Sequence, residues 1–361
     1  MPTPKKNRPA RPATLADVGR VAGVSAMAAS AVLNGARTSS RISDETRARI
    51  LKAAGELEYR PNAAARALAN RRMDTLGVAA VIDGAEVNHY FLDVFNGVLA
   101  AAAAHEQNTT VFSLHNWGDD ARRLRTFCDG RIDGLILVAP TLPAEEAVLP
   151  SHTPFISIHA NARLPGVINI ETDEERGAFE MVKLLIAHGH RRVMHIAGPT
   201  GQLGPERRVR GYRRALAAAK LPTPPELVLV SKSFATEDGF AAMREWLRAH
   251  AGDRLPTAIF CANDGIAIGA MQALAEAGLR VPDDVSVAGF DDSLAARICV
   301  PQLTSVRQPL RAMGSRAVEL LLARIDHKLP ASTPSVVFPV EVVSRVSTRP
   351  PLGPDRLVPG R

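Results

Sequence analysis

Three histidines fall within eight residues in "HGHRRVMH" (His188, His190 and His195), close enough in sequence to be considered as metal ligands or general bases. The stretch contains no H-E-x-x-H and has no cysteine or carboxylate cluster beside it, so it reads as turn and packing. Cys128, Cys261 and Cys299 stand far apart with no C-x-x-C pair. Neither a disulfide framework nor a zinc cluster is expected, and the spacing suits a reducing compartment. "GPTGQLG" is glycine-rich but fits neither the dinucleotide nor the phosphate-loop spacing, and Ser25 in "GVSAM" lacks the second glycine of a nucleophile elbow. The expectation is a non-enzyme with no catalytic residues, no metal and no cofactor.

Charge points to different chemistry. Residues 1–74 hold 14 Lys and Arg against 6 Asp and Glu, a net +8, whereas the other 287 residues carry 30 against 31. A basic module on a neutral body is the footprint of nucleic-acid binding. With 46% hydrophobic residues the chain buries a sizeable core, and no apolar run reaches the roughly 18–20 residues of a membrane span.

The elements that would position such a module are legible in "TLADVGRVAGVSAMAASAVLNG". Thr14 with Asp17 three positions on resembles a capping box, and Leu15, Val18, Val21 and Ala22 share one face of the helix that follows. Gly23 breaks that helix, Ser25 caps a second over 26–33, and Asn34–Gly35 ends it. Ser43 opens a third helix, with Asp44 and Glu45 in its first turn, an apolar stripe of Ile50, Leu51, Ala54 and Leu57, and an end near Tyr59 ahead of Pro61. Asn62 caps "NAAARALA". The uncharged run from Val21 to Ala36, after a basic leader, also has the outline of a secretory signal peptide. Its single Leu and its interruptions at Gly23, Ser25, Ser30 and Asn34 favour a helix-turn-helix.

From Thr75 onward apolar runs alternate with helical segments. "TLGVAAVID", "TTVFSLH", "GLILVA", "PFISIHA", "RRVMHIAG", "ELVLVSKS", "TAIFCAND" and "DVSVAGFDD" read as strands of parallel sheets covered on both faces. About 290 residues suffice for two α/β lobes, with ligands expected at the carboxyl ends of the strands.

The headpiece helices, "RISDETRARILKAAGELEYRPNAAARALA" and "TLGVAAVI" together resemble the lactose-repressor (LacI/GalR) family of bacterial transcription regulators, from Thr14 to about Thr348. The resemblance implies a helix-turn-helix headpiece with a hinge helix, followed by a type I periplasmic-binding-protein-like body of two parallel-sheet lobes. The implied division is a disordered basic leader (1–13), the headpiece (14–60), hinge helix and linker (61–74), body (75–348) and a flexible C-terminal tail (349–361). The first lobe would take residues 75–172 and a returning segment near 307–328, and the second 173–306 with the C-terminal strands.

In that family the second helix enters the major groove. The implied DNA-contacting residues are Thr14, Leu15, Ser25, Ala26, Met27, Ala28, Ser30, Asn34, Arg41, Tyr59, Asn62, Ala65, Arg66 and Leu68. Ala31 joins the reading positions, but the arginine often found there is absent, and with it a possible contact to guanine. Arg37, Arg41, Arg47 and Arg66 would touch phosphates, and Leu68 would wedge into the minor groove. The implied effector-binding residues are Tyr90, Phe91, Arg208, Phe234, Asn263 and Asp291. Arg208 and Asp291 together suit neighbouring hydroxyls, since guanidinium donates and carboxylate accepts.

The expected function is a cytoplasmic, homodimeric, ligand-responsive repressor that binds a palindromic operator in double-stranded DNA, responds to a sugar or sugar derivative and has no membrane association. Its alternatives are a secreted solute-binding protein of a sugar transporter and a regulator answering to a purine-type effector.

Overall fold

The computed structural model of the chain describes residues 12–34, 42–60, 67, 72–82, 88–142, 149–162, 164–330, 332–352 and 356–359. The chain divides into two units, Met1–Asp74 and Thr75–Arg361.

In the first unit, Thr14 caps α1 (Leu15–Ala22) by the reciprocal bonds of a capping box: Asp17 N donates to Thr14 Oγ1 and Thr14 N to Asp17 Oδ2. Gly23 closes α1 at φ 67°, in the left-handed region that glycine enters without strain. The chain then turns by 106° into α2 (Ala26–Asn34), whose first turn is capped by Ser25 Oγ accepting from Ala28 N. A methyl group at Gly19 would lie 2.8 Å from Val24 O, so the tight turn requires glycine there as well. Ser43 caps α3 (Asp44–Glu56). The three helices enclose Val18, Ala22, Ala29, Ile50, Ala53 and Ala54.

Two expected core residues are corrected: Val21 and Leu51 are exposed. At 100° per residue, Val21 falls outside the arc centred on Val18 and Ala22. Leu51 likewise lies off the arc of Ile50, Ala53 and Ala54, which buries Ala53 in its place.

The second unit contains two six-stranded sheets. The first is built from β1 (Thr75–Val81), β2 (Asn108–Leu114), β3 (Gly134–Val138), β4 (Phe155–Ile158), β5 (Ile168–Thr172) and β11 (Val336–Phe338), in the order β11-β5-β4-β3-β1-β2 with every pairing parallel. The second is built from β6 (Val193–Ala197), β7 (Val228–Val230), β8 (Ala258–Cys261), β9 (Ser286–Asp291), β10 (Thr304–Arg307) and β12 (Glu341–Val343), in the order β12-β10-β9-β8-β6-β7. Only the β10–β12 pair in it is antiparallel. β3, β4, β6, β8 and β9 are buried throughout, as strands covered on both faces must be. Helices His89–Ala104 and Leu310–Ile325 cover one face of the first sheet, their backbones brought close at Gly97 and Gly314.

The chain crosses between lobes three times, after β5, after β10 and after β11. Two tail-end expectations are corrected. β11 joins the first lobe's sheet instead of the second, because among the described residues it pairs with β5 alone. Residues 356–359 are tied to the second lobe where a free tail was expected: Leu357 bridges Arg254 antiparallel, Val358 N donates to Asp253 O at 2.8 Å, and the Val358 side chain is buried in that lobe's core.

Candidate functional site

Both sheets have the doubly wound order in which the crevice at the strands' carboxyl ends receives ligands. Residues that follow β1, β3, β4, β5, β7 and β8, the end of β9, and the first turns of the helix after β6 line one cavity of about 750 Å³ between the lobes. This is within the usual range for small-molecule sites. The backbone is strained there: Ala139, His159 and Asp291, at the ends of β3, β4 and β9, have φ of 49°, 48° and 114°. Side chains with a Cβ rarely adopt such values, and sites of function are where they concentrate.

Five of the six expected effector-binding residues, Tyr90, Arg208, Phe234, Asn263 and Asp291, line this cavity. Phe91 does not. It is buried in the first lobe's core, stacked on Phe95 at 5.4 Å, because a residue 100° round the helix from Tyr90 faces the sheet. Asn263 carries a structural duty as well: its Oδ1 accepts from Ile266 N at 2.8 Å and caps helix Asp264–Glu276, while its Nδ2 donates to Phe234 O at 3.1 Å.

Arg208 is buried beside three partners. Its Nη2 donates to Glu174 Oε1 at 2.7 Å, its Nη1 to Ala262 O at 2.5 Å, and its guanidinium lies 4.3 Å from the Phe290 ring centroid. These bonds use two of its five N–H groups, and Nε is itself buried without a hydrogen-bond partner. An unmatched N–H of a buried guanidinium is costly. Burial disfavours the charge on Glu174, yet the adjacent Arg208 outweighs it, with His159 and Arg207 assisting, and holds the carboxyl below its ordinary range. Asp291 is raised by its burial, against the opposing pull of Arg208, and Asp264 is raised chiefly by burial too.

A directed hydrogen-bond chain joins the two walls. Thr172 Oγ1 donates to Gln308 Oε1, and Gln308 Nε2 donates to Asp291 Oδ1 at 2.7 Å. With its proton committed, Thr172 accepts from His159 Nε2 at 3.2 Å, which leaves His159 Nδ1 to accept from the Tyr90 hydroxyl at 2.7 Å. Burial lowers His159 to about 4, which keeps the ring neutral and suited to this arrangement.

Sequence reasoning missed Glu174, Arg207, His159, Thr172 and Gln308. The signal present for His159 was its position at the end of an apolar run; for Glu174 it was an acidic run opening a helix.

In the headpiece, Ser25, Ala26 and Met27 are exposed at the start of α2, Met27 by 76%, while Ala28, Ser30 and Ala31 are half-buried. Asn34 donates to Ser30 Oγ at 3.1 Å. Arg47 is exposed on α3. Thr14, Leu15 and Tyr59 have structural duties here, Thr14 as the cap and the other two packed against the three-helix core. Arg37, Arg41, Asn62, Ala65, Arg66 and Leu68 lie outside the described residues, as does all of "NAAARALA" except Ala67. Among the described residues no three or more His, Cys, Asp or Glu are grouped as metal ligands would be. His190 Nε2 meets Arg349 O at 2.9 Å, and His195 Nδ1 meets Phe260 O at 2.8 Å. No single helix among them is long and apolar enough to cross a membrane.

Residues 14–62 match the family model described as bacterial regulatory proteins, lacI family, and residues 182–348 match that of a periplasmic binding protein-like domain. The transcriptional repressor PurR of Vibrio parahaemolyticus serotype O3:K6 (strain RIMD 2210633) is 32% identical over 325 residues, 88% of this chain and 93% of that protein. The ribose operon repressor of Haemophilus influenzae (strain ATCC 51907 / DSM 11121 / KW20 / Rd) is 33% identical over 320 residues, 87% of this chain and 92% of that protein. A crystal structure of the lac repressor dimer bound to operator and the anti-inducer ONPF superposes with a TM-score of 0.81 at 28% identity, covering 94% of this chain and all of that one. These relatives match through the headpiece as well as the body, which disfavours the secreted solute-binding alternative. The chain belongs to the lacI family of bacterial regulatory proteins and is a ligand-responsive, DNA-binding transcription repressor.

Proposed function

We propose that operator binding by this repressor is controlled by a small neutral carbohydrate held in the cavity between the lobes. The observation that carries the reading is that the Arg208 guanidinium, the Asp291 carboxyl and the Phe234 ring line one cavity. A sugar offers adjacent hydroxyls that accept from the first and donate to the second, and an apolar ring face for the third. A purine base would use the aromatic wall but has fewer adjacent donor–acceptor pairs.

The protein acts on DNA as a homodimer in the cytoplasm. An apolar stretch of the second lobe, Leu294, Ile298 and Val300, stands in solvent, with Val300 93% exposed, and would be covered by a second copy. Exposed Ser25, Ala26 and Met27 would read base edges, Arg47 a phosphate, and Leu68 the minor groove.

The test is selection of duplexes from a random library by the full-length protein, followed by release of the selected duplex with neutral monosaccharides and disaccharides against purine bases. Recovery of an inverted repeat released by a neutral sugar is expected. Release by a purine base alone would overturn the carbohydrate reading, and recovery of no motif would overturn sequence-specific operator binding.

A further inference from the structure

Both guanidiniums that line the cavity are already matched by carboxylates. Arg208 donates to Glu174 at 2.7 Å; Arg207 donates to Glu171 at 2.8 Å and reaches Glu174 at 3.5 Å. Among the described residues the lining also includes Glu237, Asp264 and Asp291 but no third arginine and no lysine. An ordinary anion site is the reverse of this, with unmatched cations and free N–H groups.

The place where an anion would sit is also taken. Helix Leu203–Ala218 opens at the cavity, and the first turns of such a helix attract negative charge. Glu174 lies against that turn: a methyl group built on Gly204 would come within 2.8 Å of Glu174 Oε1. The carboxylate therefore stands at the helix N-terminus as a built-in anion, held by Arg207 and Arg208 from the next turn. Both side chains of the Arg208–Glu174 pair are buried, with 8% and 3% exposed, so water does little to screen it.

We propose that Glu174 is a specificity-determining residue that closes this cavity to anionic ligands, by holding Arg208 in a buried ion pair that a phosphate or carboxylate would have to break. This rests on the reading of the cavity as the effector site. A neutral hydroxyl carries no charge for Glu174 to repel and need not break the pair to bind in the cavity. A phosphoryl group approaching the same guanidinium would instead meet the Glu174 charge within a few ångströms in a poorly screened site. The selection is negative, through repulsion of the wrong ligand, and operates independently of the contacts that favour the right one.

The experiment is isothermal titration of the full-length protein with inorganic phosphate, at ionic strength held constant with chloride. Glu174→Gln keeps the shape and an acceptor for Arg208 but removes the charge. It should bind phosphate roughly tenfold tighter than the wild type or better. Adding Arg208→Gln to that variant should abolish the gain, which separates the cavity from phosphate bound by the basic headpiece. Glu171→Gln, nearer the solvent, removes the closer of the two carboxylates that Arg207 meets and should show a smaller gain of the same sign; it also serves if Glu174→Gln does not fold. Equal phosphate affinity in wild type and both variants, or a gain that survives Arg208→Gln, overturns the proposal. Operator affinity of Glu174→Gln in phosphate separates the two readings. A gain in phosphate binding with no effect on DNA would sink the effector role and leave the charge exclusion standing.

Discussion

Truncating Arg208 to alanine has consequences that follow directly from the geometry. The substitution leaves Glu174 buried at 3% exposure with its principal counter-charge gone. Removing one partner of a buried pair costs about 3–5 kcal/mol, most of it the penalty of the stranded charge. Ala262 O loses its donor and Phe290 its stacked guanidinium, which adds to the loss. Arg207 remains within 3.5 Å of Glu174 and offsets part of it, so a value near the lower end, about 3 kcal/mol, is expected.

The assay is equilibrium unfolding in urea at neutral pH, followed by the fluorescence of Trp117 and Trp246, which lie in the cores of the first and second lobes. Glu174→Leu combined with Arg208→Met removes both charges and should recover most of the loss, since apolar replacement of a buried pair is often neutral. Glu174 is depressed in the folded state, so the pair's contribution is complete above the ordinary glutamate range and is lost as pH falls through the folded value. The gap between wild type and Arg208→Ala should therefore narrow in acid. A loss below about 1 kcal/mol, or a double variant as unstable as the single, would refute the reasoning. It also follows that a missing ligand response in Arg208→Ala identifies the pocket only after folding has been checked.

Burial holds His159, His190 and His195 each at about 4 in the folded chain, below the ordinary 6.5. Their neutral forms stabilise the fold fully above pH 6.5 and progressively less as pH falls to 4, so urea stability should drop by several kcal/mol across that window; a flat profile contradicts it. Gly97→Ala places a methyl group 2.0 Å from Arg311 O and should cost about 1–3 kcal/mol or more by forcing two helices apart. Gly55→Ala in α3 meets nothing within 4 Å and should stabilise its helix by roughly 0.5–1 kcal/mol, and opposite signs in the two melts would disprove the packing argument. Thr14→Ala removes the cap of α1 and should cost that helix about 0.5–2 kcal/mol, read as faster amide exchange in Leu15–Ala22; unchanged exchange would show the cap to be inert.

The headpiece was legible because caps are local. Thr14, Gly23, Ser25 and Ser43 act within three or four residues of themselves, and the structure uses each as the sequence implied. The body was legible where strands are buried on both faces and read as apolar runs. β5 escaped notice because Asn169 and Glu171 interrupt "INIET"; their side chains are committed to polar contacts, Asn169 donating to Glu171 at 2.8 Å and Glu171 accepting from Arg207. β10, β11 and β12 have only three or four residues each, and distant partners decide their pairing. Glu174 looked like one more acid in "DEERG". What makes it a site residue is Arg208, 34 positions later, and no local pattern announces that pair.

The cavity and the hinge occupy the same place in the molecule. Thr172 stands at the first crossing between lobes and Gln308 at the second, and both belong to the chain Tyr90→His159→Thr172→Gln308→Asp291. Each link uses a proton that no neighbour can supply in its stead, so a rotation that separates Thr172 from Gln308 leaves a buried donor and a buried acceptor unmatched. Such losses are heavy in a poorly solvated interior, which makes the lobe arrangement a choice between discrete states more than a continuum. Tyr90 and Asp291 end the chain on opposite walls of the cavity. A molecule bound to both makes different contacts in each lobe arrangement, and that difference in affinity is the whole of its power to shift the equilibrium. A molecule touching one wall alone has no such leverage, however tightly it binds.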